Sequence, residues 1–503
     1  MLCNRLKGGS KLEDRNAQNK HKMLGRLKKR KVGIVFLVIQ ALLTICLTIL
    51  LIQFKFLKPL FIIGIDAVLV IFLVLMILGQ GCRGRAHISF KVVIVLFCVM
   101  LSIGSYYVYK TYVTGNVVTD SREVDYFQVI VLKEDPSETI NDVKNEEFGI
   151  DITQKNDSYH KIINDIQTKL ISAITTKEYV DSPSMVEALY KKECKVILLN
   201  TALMANIEDI YPNFKKEIRV LDSYEHVTKK KNDNKVSSIT EEPFSVLLSG
   251  NDTYGEISAK NRSDVNVIAT VNPKTKEILL TSTPRDYYVQ TSVSGTAYDK
   301  LTHAGLYGVE CSRDTLEKLY GIDINYYAKV NFTGFKSIID ALGTVTVHSD
   351  RDFVAQHGEK FKEGDNVVDG AKALAFVRER HAFPSGDLQR NKNQQELIKA
   401  VIKEAASPKI LSGFSDILSA VKESVMMDLS YDEIVSLVQM QLSDGGTWHI
   451  STFGVSGEGG SRTTYTNQKK KGYVMYMDEE KIAEATGYIK QVLNGEVPSI
   501  KEK

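Results

Sequence analysis

Three apolar stretches, residues 32–54, 57–79 and 92–109, leave the first third of this 503-residue chain few options. At 1.5 Å per residue, the first two are long enough to cross a hydrocarbon core of about 30 Å as helices. The third reaches that length once residues 111–113 are added. A secretory leader would show one short apolar region and a small-residue cleavage site, which is not this pattern. A three-helix membrane anchor is therefore expected. Asp66 lies inside the second stretch, and a carboxylate at that depth either serves a function or meets a partner on a neighbouring helix. Residues 1–31 carry eleven Lys/Arg against two Asp/Glu, and Arg83, Arg85 and Lys91 lie between the second and third stretches. The positive-inside rule keeps both segments cytoplasmic, with Lys55 and Lys58 opposing the trend weakly. An odd number of spans then places everything after the third outside the membrane.

The net charge is +3, so the chain beyond residue 31 sums to −6, a balance unsuited to coating nucleic acid along its length. The basic tail shows no helix-turn-helix, and topology plus attraction to anionic headgroups accounts for it. Of six cysteines, Cys3, Cys46, Cys82 and Cys98 fall in or beside the apolar third. None forms a CxxC pair or a zinc-spaced Cys/His cluster. Cys194 and Cys311 are left as the pair that could meet outside.

Residues 115–235 read as a first exterior unit, an accessory domain with strands in EVDYFQVIVLK and CKVILLNTA and a helix within residues 151–176. It contains no catalytic constellation, so a binding module or a spacer is expected. Residues 226–243 read as a polar linker. The second unit, residues 244–490, opens with FSVLLSGND, a buried strand that leaves Asp252 just past its end. Residues 263–286 read as two strands joined at Asn272-Pro273-Lys274, a hairpin that brings Arg262 and Asp264 near Arg285. Strand and helix then alternate, which suggests α/β layers. The glycine-rich GVSGEGGSRTTY, residues 454–465, lacks the ending of a phosphate-binding P-loop and reads as a flexible surface loop.

Charge gathers in residues 371–395, AKALAFVRERHAFPSGDLQRNKNQQ. In an extended VRERH, Arg378 and Arg380 would face one side. After the turn at residues 384–386 a helix is expected, with Asp387, Arg390 and Gln394 on one face. Each charge alone could be ordinary solvated surface; together they suit an anion. No GxSxG nucleophile elbow is present. Arginine matches phosphate bidentately. Asp252 and Asp264 suit Mg²⁺, which takes one or two carboxylates plus substrate phosphates. Phosphoryl transfer, which is mostly positioning and charge neutralisation, is within reach of such an inventory.

The blocks SGNDTYG, RSDVNVIATVNPKTKEILLTSTPRD, KLTHAGLYG, INYYAKVNFTGFKSIIDALG, DGAKALAFVRERH and GDLQRNKNQQ, in that order within residues 244–455, resemble the LytR-CpsA-Psr family of Gram-positive cell-wall assembly enzymes. Three spans followed by an accessory unit also resemble the streptococcal CpsA branch, found with capsule synthesis. The resemblance implies an α/β catalytic domain with a mixed sheet flanked by helices. It implies transfer of a polyprenyl-pyrophosphate-linked capsular polysaccharide, or a similar anionic glycopolymer, onto peptidoglycan at the cell wall. Asp252 and Asp264 would hold Mg²⁺, or Mn²⁺ in its place. Arg262, Arg285, Arg378, Arg380, Arg390 and Gln394 would hold the phosphates, and Asp387 would orient the arginines or activate the acceptor hydroxyl. Membrane lipid and the capsule-synthesis machinery would be neighbours. Two other readings stay open: a membrane-bound regulator of transcription whose tail binds DNA, and a lipid-binding scaffold without turnover.

Overall fold

The structure, a computed structural model, describes residues 33–500 apart from 58, 80–84, 119–122, 155–156, 229–233, 255–256, 259, 385, 408–409 and 423. The basic tail and Arg83 lie outside the described residues. Helices α1 (Gly33–Phe54), α2 (Pro59–Gly79) and α3 (Arg85–Val118) are each long and apolar enough to span a membrane. Asp66 on α2 has a partner within this unit, since the Thr48 hydroxyl of α1 donates to its Oδ1 at 2.6 Å. Thr48 also bonds the carbonyl of Thr44 one turn back, at 3.0 Å.

The second unit begins at Gly115. Its first sheet has strand order β3-β2-β4-β1-β5. These strands are β1 (Glu123–Leu132), β2 (Glu147–Asp151), β3 (Thr175–Tyr179), β4 (Val196–Asn200) and β5 (Ile218–Thr228). Period-two alternation decides which face each residue serves. Phe127, Val129, Val196 and Leu198 pack against α4 (Asp157–Leu170). Ile130, Ile197 and Leu199 pack on the other face against α5 (Ser182–Tyr190), α6 (Met204–Glu208) and α7 (Phe214–Glu217). Strand β5 runs to Thr228, into the segment read as linker. Cys194 and Cys311 are both free, buried thiols.

The second sheet is mixed. Strands β6 (Phe244–Asn251), β7 (Val265–Asn272) and β8 (Glu277–Ser282) form its antiparallel centre. After the short pair β9 (Tyr288–Val289) and β10 (Asp299–Lys300), the helices α8 (Leu301–Ala304) and α9 (Val309–Tyr320) lead to β11 (Tyr326–Asn331), which joins β6 in parallel. Helix α10 (Phe332–Leu342) leads to the small pairs made by β12 (Val345–Ser349), β13 (Phe353–Val354), β14 (Lys360–Phe361) and β15 (Gly364–Val368). Helices α11 (Gly370–Arg378), α12 (Asp387–Ala405) and α13 (Ile410–Val421) follow. Strand β16 (Val425–Met427) then closes one edge beside β11, and β17 (His449–Gly454), after α14 (Tyr431–Asp444), closes the other in parallel with β8. Leu247, Ile268 and Leu279 face α9 and α15 (Glu479–Leu493), while Val246, Val267, Ala269, Ile278 and Leu280 face α12 and α14. The result is a three-layer α/β arrangement in which β6, β8, β11 and β17 all end on one side of the sheet.

Two local expectations are corrected. The segment expected to be extended around Arg378 is helical: Asp369 accepts from the Lys372 amide at 2.8 Å as N-cap, and Ala373, Leu374 and Val377 bury one face. Arg378 is its last residue, so only from Glu379 onward does the backbone extend. The glycine-rich segment is not a loop. It is mostly strand β18 (Gly457–Thr464), paired with β19 (Asn467–Met477). A Cβ at Gly457 or Gly460 would collide with the carbonyl or the ring of Tyr476, so the glycines permit close strand packing.

Candidate anion-binding site

The carboxyl ends of parallel strands are where loops can converge on a ligand, and here they carry the charged residues. Asp252 follows β6, Asp264 precedes β7 with its amide bonded to the Gly250 carbonyl at 2.7 Å, and Arg285 follows β8. Arg285 Nη1 donates to Asp264 Oδ1 at 2.6 Å. Its Nε lies 3.6 Å from Asp286 and 3.8 Å from Asp387. Burial works against its charge, but Asp264 and then Asp286 and Asp387 outweigh that and hold the proton more firmly than usual.

Asp387, in the first turn of α12, gathers three guanidiniums. Arg390 Nη2 is 3.1 Å from it, Arg380 Nη1 3.7 Å and Arg285 Nε 3.8 Å. Arg390 is 8% exposed; burial, and then the Arg285 charge, push its pKa below the usual arginine value. The Nε groups of both Arg285 and Arg390 are buried without a hydrogen-bond partner. Such groups are costly in an interior, a cost that the carboxylates near the Arg285 Nε offset in part. Together with Asp286, Lys300, Asn391, Tyr473 and Met475, these side chains line a cavity of about 550 Å³.

Arg378 stacks its guanidinium 4.6 Å from the centre of the Phe332 ring. It lies close enough to Asp252 to pull that carboxyl's pKa down, as do Arg285 and Arg262, yet partial burial and the Asp264 carboxylate prevail and raise it. A carboxyl such as Asp252, whose charge a neighbouring carboxylate opposes, fits a divalent cation completed by phosphate oxygens. Among the described residues, no cluster of three or more His, Cys, Asp or Glu could hold a metal with protein ligands alone. Gln394 is half-buried on α12, with no hydrogen bond to the arginines.

Arg262 departs from expectation. Hairpin pairing placed its backbone near Arg285, but its guanidinium turns to the first sheet's layer, where Nε donates to Asn206 Oδ1 at 2.6 Å and Nη2 meets Asp209. Lys260, two residues earlier, makes a buried ion pair with Asp125 of β1 at 2.6 Å. The accessory sheet therefore grips the segment that carries Arg262 and Asp264.

Several functional groups were not foreseen. Glu379 sits between the two arginines of VRER and is buried. Its Oε1 accepts from the amides of His381 (2.7 Å) and Ala382 (2.9 Å), and its Oε2 from that of Gln356 (2.7 Å). It fixes the loop that presents Arg380. No local pattern announced it, since VRER straddles the end of α11. Lys300 pairs with Asp286 at 2.9 Å, and both lay unused in the blocks KLTHAG and PRD. Tyr473 and Met475 reach the cavity because the Met475 amide bonds the Asp286 carbonyl at 2.8 Å, a pairing that no local pattern announces.

Guanidiniums and carboxylates thus converge at the carboxyl ends of a mixed sheet in an α/β protein. The chain belongs to the LytR_cpsA_psr family, whose model matches residues 210–491. It is 41% identical over 197 residues to a polyisoprenyl-teichoic acid--peptidoglycan teichoic acid transferase TagU of Bacillus mycoides, covering 39% of this chain and 64% of that protein. A TagU of Enterococcus faecalis is 36% identical over 214 residues, 42% of this chain and 70% of that one. The chain thus spans somewhat under two thirds of the length of the first of these relatives. Among solved structures, B. subtilis TagV aligns with a TM-score of 0.43 and 27% identity, over 51% of this chain and 99% of that one.

Proposed function

We propose that this protein is a membrane-anchored transferase that moves a polyprenyl-pyrophosphate-linked glycopolymer onto peptidoglycan outside the membrane. The observation that carries the reading is the convergence of three guanidiniums, Arg285, Arg380 and Arg390, within 3.1–3.8 Å of the Asp387 carboxylate on the lining of one cavity. A pyrophosphate would supply acceptors for the guanidinium donors that a single carboxylate leaves over. The family relatives bear transferase names that combine a polyisoprenyl carrier with peptidoglycan, which supports the same substrate class. Three spans and an additional sheet favour a capsular glycopolymer over teichoic acid, by likeness to the CpsA branch.

In the reaction proposed, an acceptor sugar hydroxyl attacks the phosphorus that bears the glycopolymer. A new O–P bond forms, the bridging P–O bond breaks, polyprenyl phosphate leaves, and the hydroxyl proton passes to solvent. Arg285, Arg380 and Arg390 bind the phosphate oxygens, and their donors are in place before charge develops. Asp387, already touching all three arginines, orients them. Asp252 and Asp264 would hold Mg²⁺, or Mn²⁺, which when bound neutralises pyrophosphate charge. Arg378 lies where it can extend the clamp past Phe332.

The test uses the full-length protein in detergent with polyprenyl pyrophosphate, assayed for phosphate release with Mg²⁺ and with chelator. Arg285→Ala is expected to lower turnover about a hundredfold or more, the usual effect of removing one preorganised charge donor. Turnover at the unaltered rate in that variant would remove the clamp assignment.

A further inference from the structure

Resting on the reading of the clamp as a pyrophosphate site, we propose that Asp209 and Asn206 of the accessory layer form a latch that parks the Arg262 guanidinium beside the clamp and yields it to phosphate oxygens when they arrive. Asn206 lies on α6 and Asp209 directly follows that helix. Asn206 Oδ1 accepts from Arg262 Nε at 2.6 Å, and the Asp209 carboxylate meets Arg262 Nη2. Both partners belong to the first sheet's layer, whereas Arg262 stands two residues before Asp264, the carboxylate that holds Arg285 at 2.6 Å.

The backbone under Arg262 is fixed, so only its side chain has a choice of partner. The Asn261 amide bonds the Gly305 carbonyl and the Ser263 amide that of Thr302, both at 3.0 Å. A Cβ at Gly305 would come within 2.4 Å of the Asn261 carbonyl oxygen, so glycine there lets the two segments close up. Ser263 is fully buried, its hydroxyl 2.7 Å from Asn266 Oδ1, and alternation sends its neighbours Arg262 and Asp264 to the opposite side. The Arg262 charge also reaches Asp252: burial and then the Asp264 carboxylate raise that carboxyl's pKa, and Arg262 is among the charges that oppose them. The guanidinium thus stands between two sets of acceptors, one on each layer.

The latch is weak, and docking of the accessory layer does not depend on it. Asp209 is 62% exposed and Arg262 30%, and an ion pair so open to solvent contributes little. The layer is held by the buried Lys260–Asp125 pair, by the Gln468 amide at the start of β19, which donates to the buried Asp181 carboxylate at 2.7 Å, and by the pair of Lys469 with Glu187. A guanidinium tied to one exposed carboxylate exchanges it readily for a pyrophosphate, which carries more charge and accepts bidentately.

The experiment measures equilibrium binding of polyprenyl pyrophosphate to the full-length protein in detergent. Asp209→Asn and Asn206→Ala are each expected to tighten binding about threefold, the size of one exposed contact released, and Asp209→Glu to bind as the wild type does. In an Arg262→Ala background neither substitution should change the affinity further. Asn206→Ala removes no charge, so its gain separates release of Arg262 from a general easing of repulsion. Thermal unfolding checks each variant, and if one melts early the other decides. Unchanged or weaker binding in the single variants overturns the latch, as does an equal gain with and without Arg262. Failure of the underlying reading looks different: Arg285→Ala would then leave polyprenyl pyrophosphate binding intact.

Discussion

Glu379 shows how much a single side chain can hold. It accepts three backbone amides within 2.7–2.9 Å. Burial alone would raise its pKa, but those hydrogen bonds and that of the Arg380 amide outweigh it and lower the pKa below the ordinary glutamate value. A depressed carboxyl stabilises the fold at pH values above its unfolded pKa, and the contribution is lost as pH falls through the folded value. The wild-type protein should therefore lose stability in acid more steeply than Glu379→Gln, with the two melting curves converging below the carboxylate range. Glu379→Ala leaves buried amides unsatisfied and should cost about 1–3 kcal/mol at neutral pH, read by thermal unfolding, with a larger loss in pyrophosphate binding because Arg380 is released. At this same scale, the identities of Asp252, Asp264, Arg285, Asp387 and Arg390 as charged residues near strand ends and a helix start were readable in the sequence. The aim of Arg262 was not: strand pairing fixes backbones, and a guanidinium on a long stem can reach a carboxylate elsewhere in the fold, here Asp209 in the first sheet's layer.

Among the elements, the contact between the accessory sheet and the segment carrying Arg262 is the most exposed to test. The Lys260–Asp125 pair is almost wholly buried, with side chains 7% and 2% exposed. Breaking such a pair strands a charge, so Asp125→Ala is expected to destabilise the exterior portion by about 3–5 kcal/mol, whereas Asp125→Leu combined with Lys260→Met should recover most of it. Thermal unfolding of the two variants checks this; equal stability would mean the pair holds nothing. The hairpin of β7 and β8 was legible because Asn-Pro-Lys punctuates two β-branched runs. The strand β18 was not, because glycines at 457, 459 and 460 erase the alternation that marks a strand, and only its partner β19 supplies it. Helix α11 was misread for a related reason. Over the five residues VRERH, a period of two and the end of a helix look alike, and the decisive Asp369 cap lies nine residues before Arg378.

For the whole molecule, the sequence separated an apolar third from a folded remainder because the two obey different solvents. On the proposed topology, an odd number of spans puts the first 31 residues on the side opposite to the proposed chemistry. Deleting residues 1–25 should thus leave glycopolymer attachment to the wall at wild-type level as long as the spans still insert, measured as wall-bound polymer. A regulator acting through DNA would instead lose its transcriptional output in the same strain while attachment changed only as a consequence.

Helix α12 turns Gln389, Arg390, Asn391, Asn393 and Gln395 inward. Gln395 bonds the carbonyls of Leu280 and Phe453, residues 115 and 58 positions away, and Asn393 that of Phe376. Ile398 and Ile402 also pack on the sheet, so polar and apolar contacts seat the helix together. The edge of the sheet and the clamp thus share one anchor: Gln395 spans β8 and β17, so a fault in that edge pairing would reach Asp387 and Arg390 through the helix that carries them.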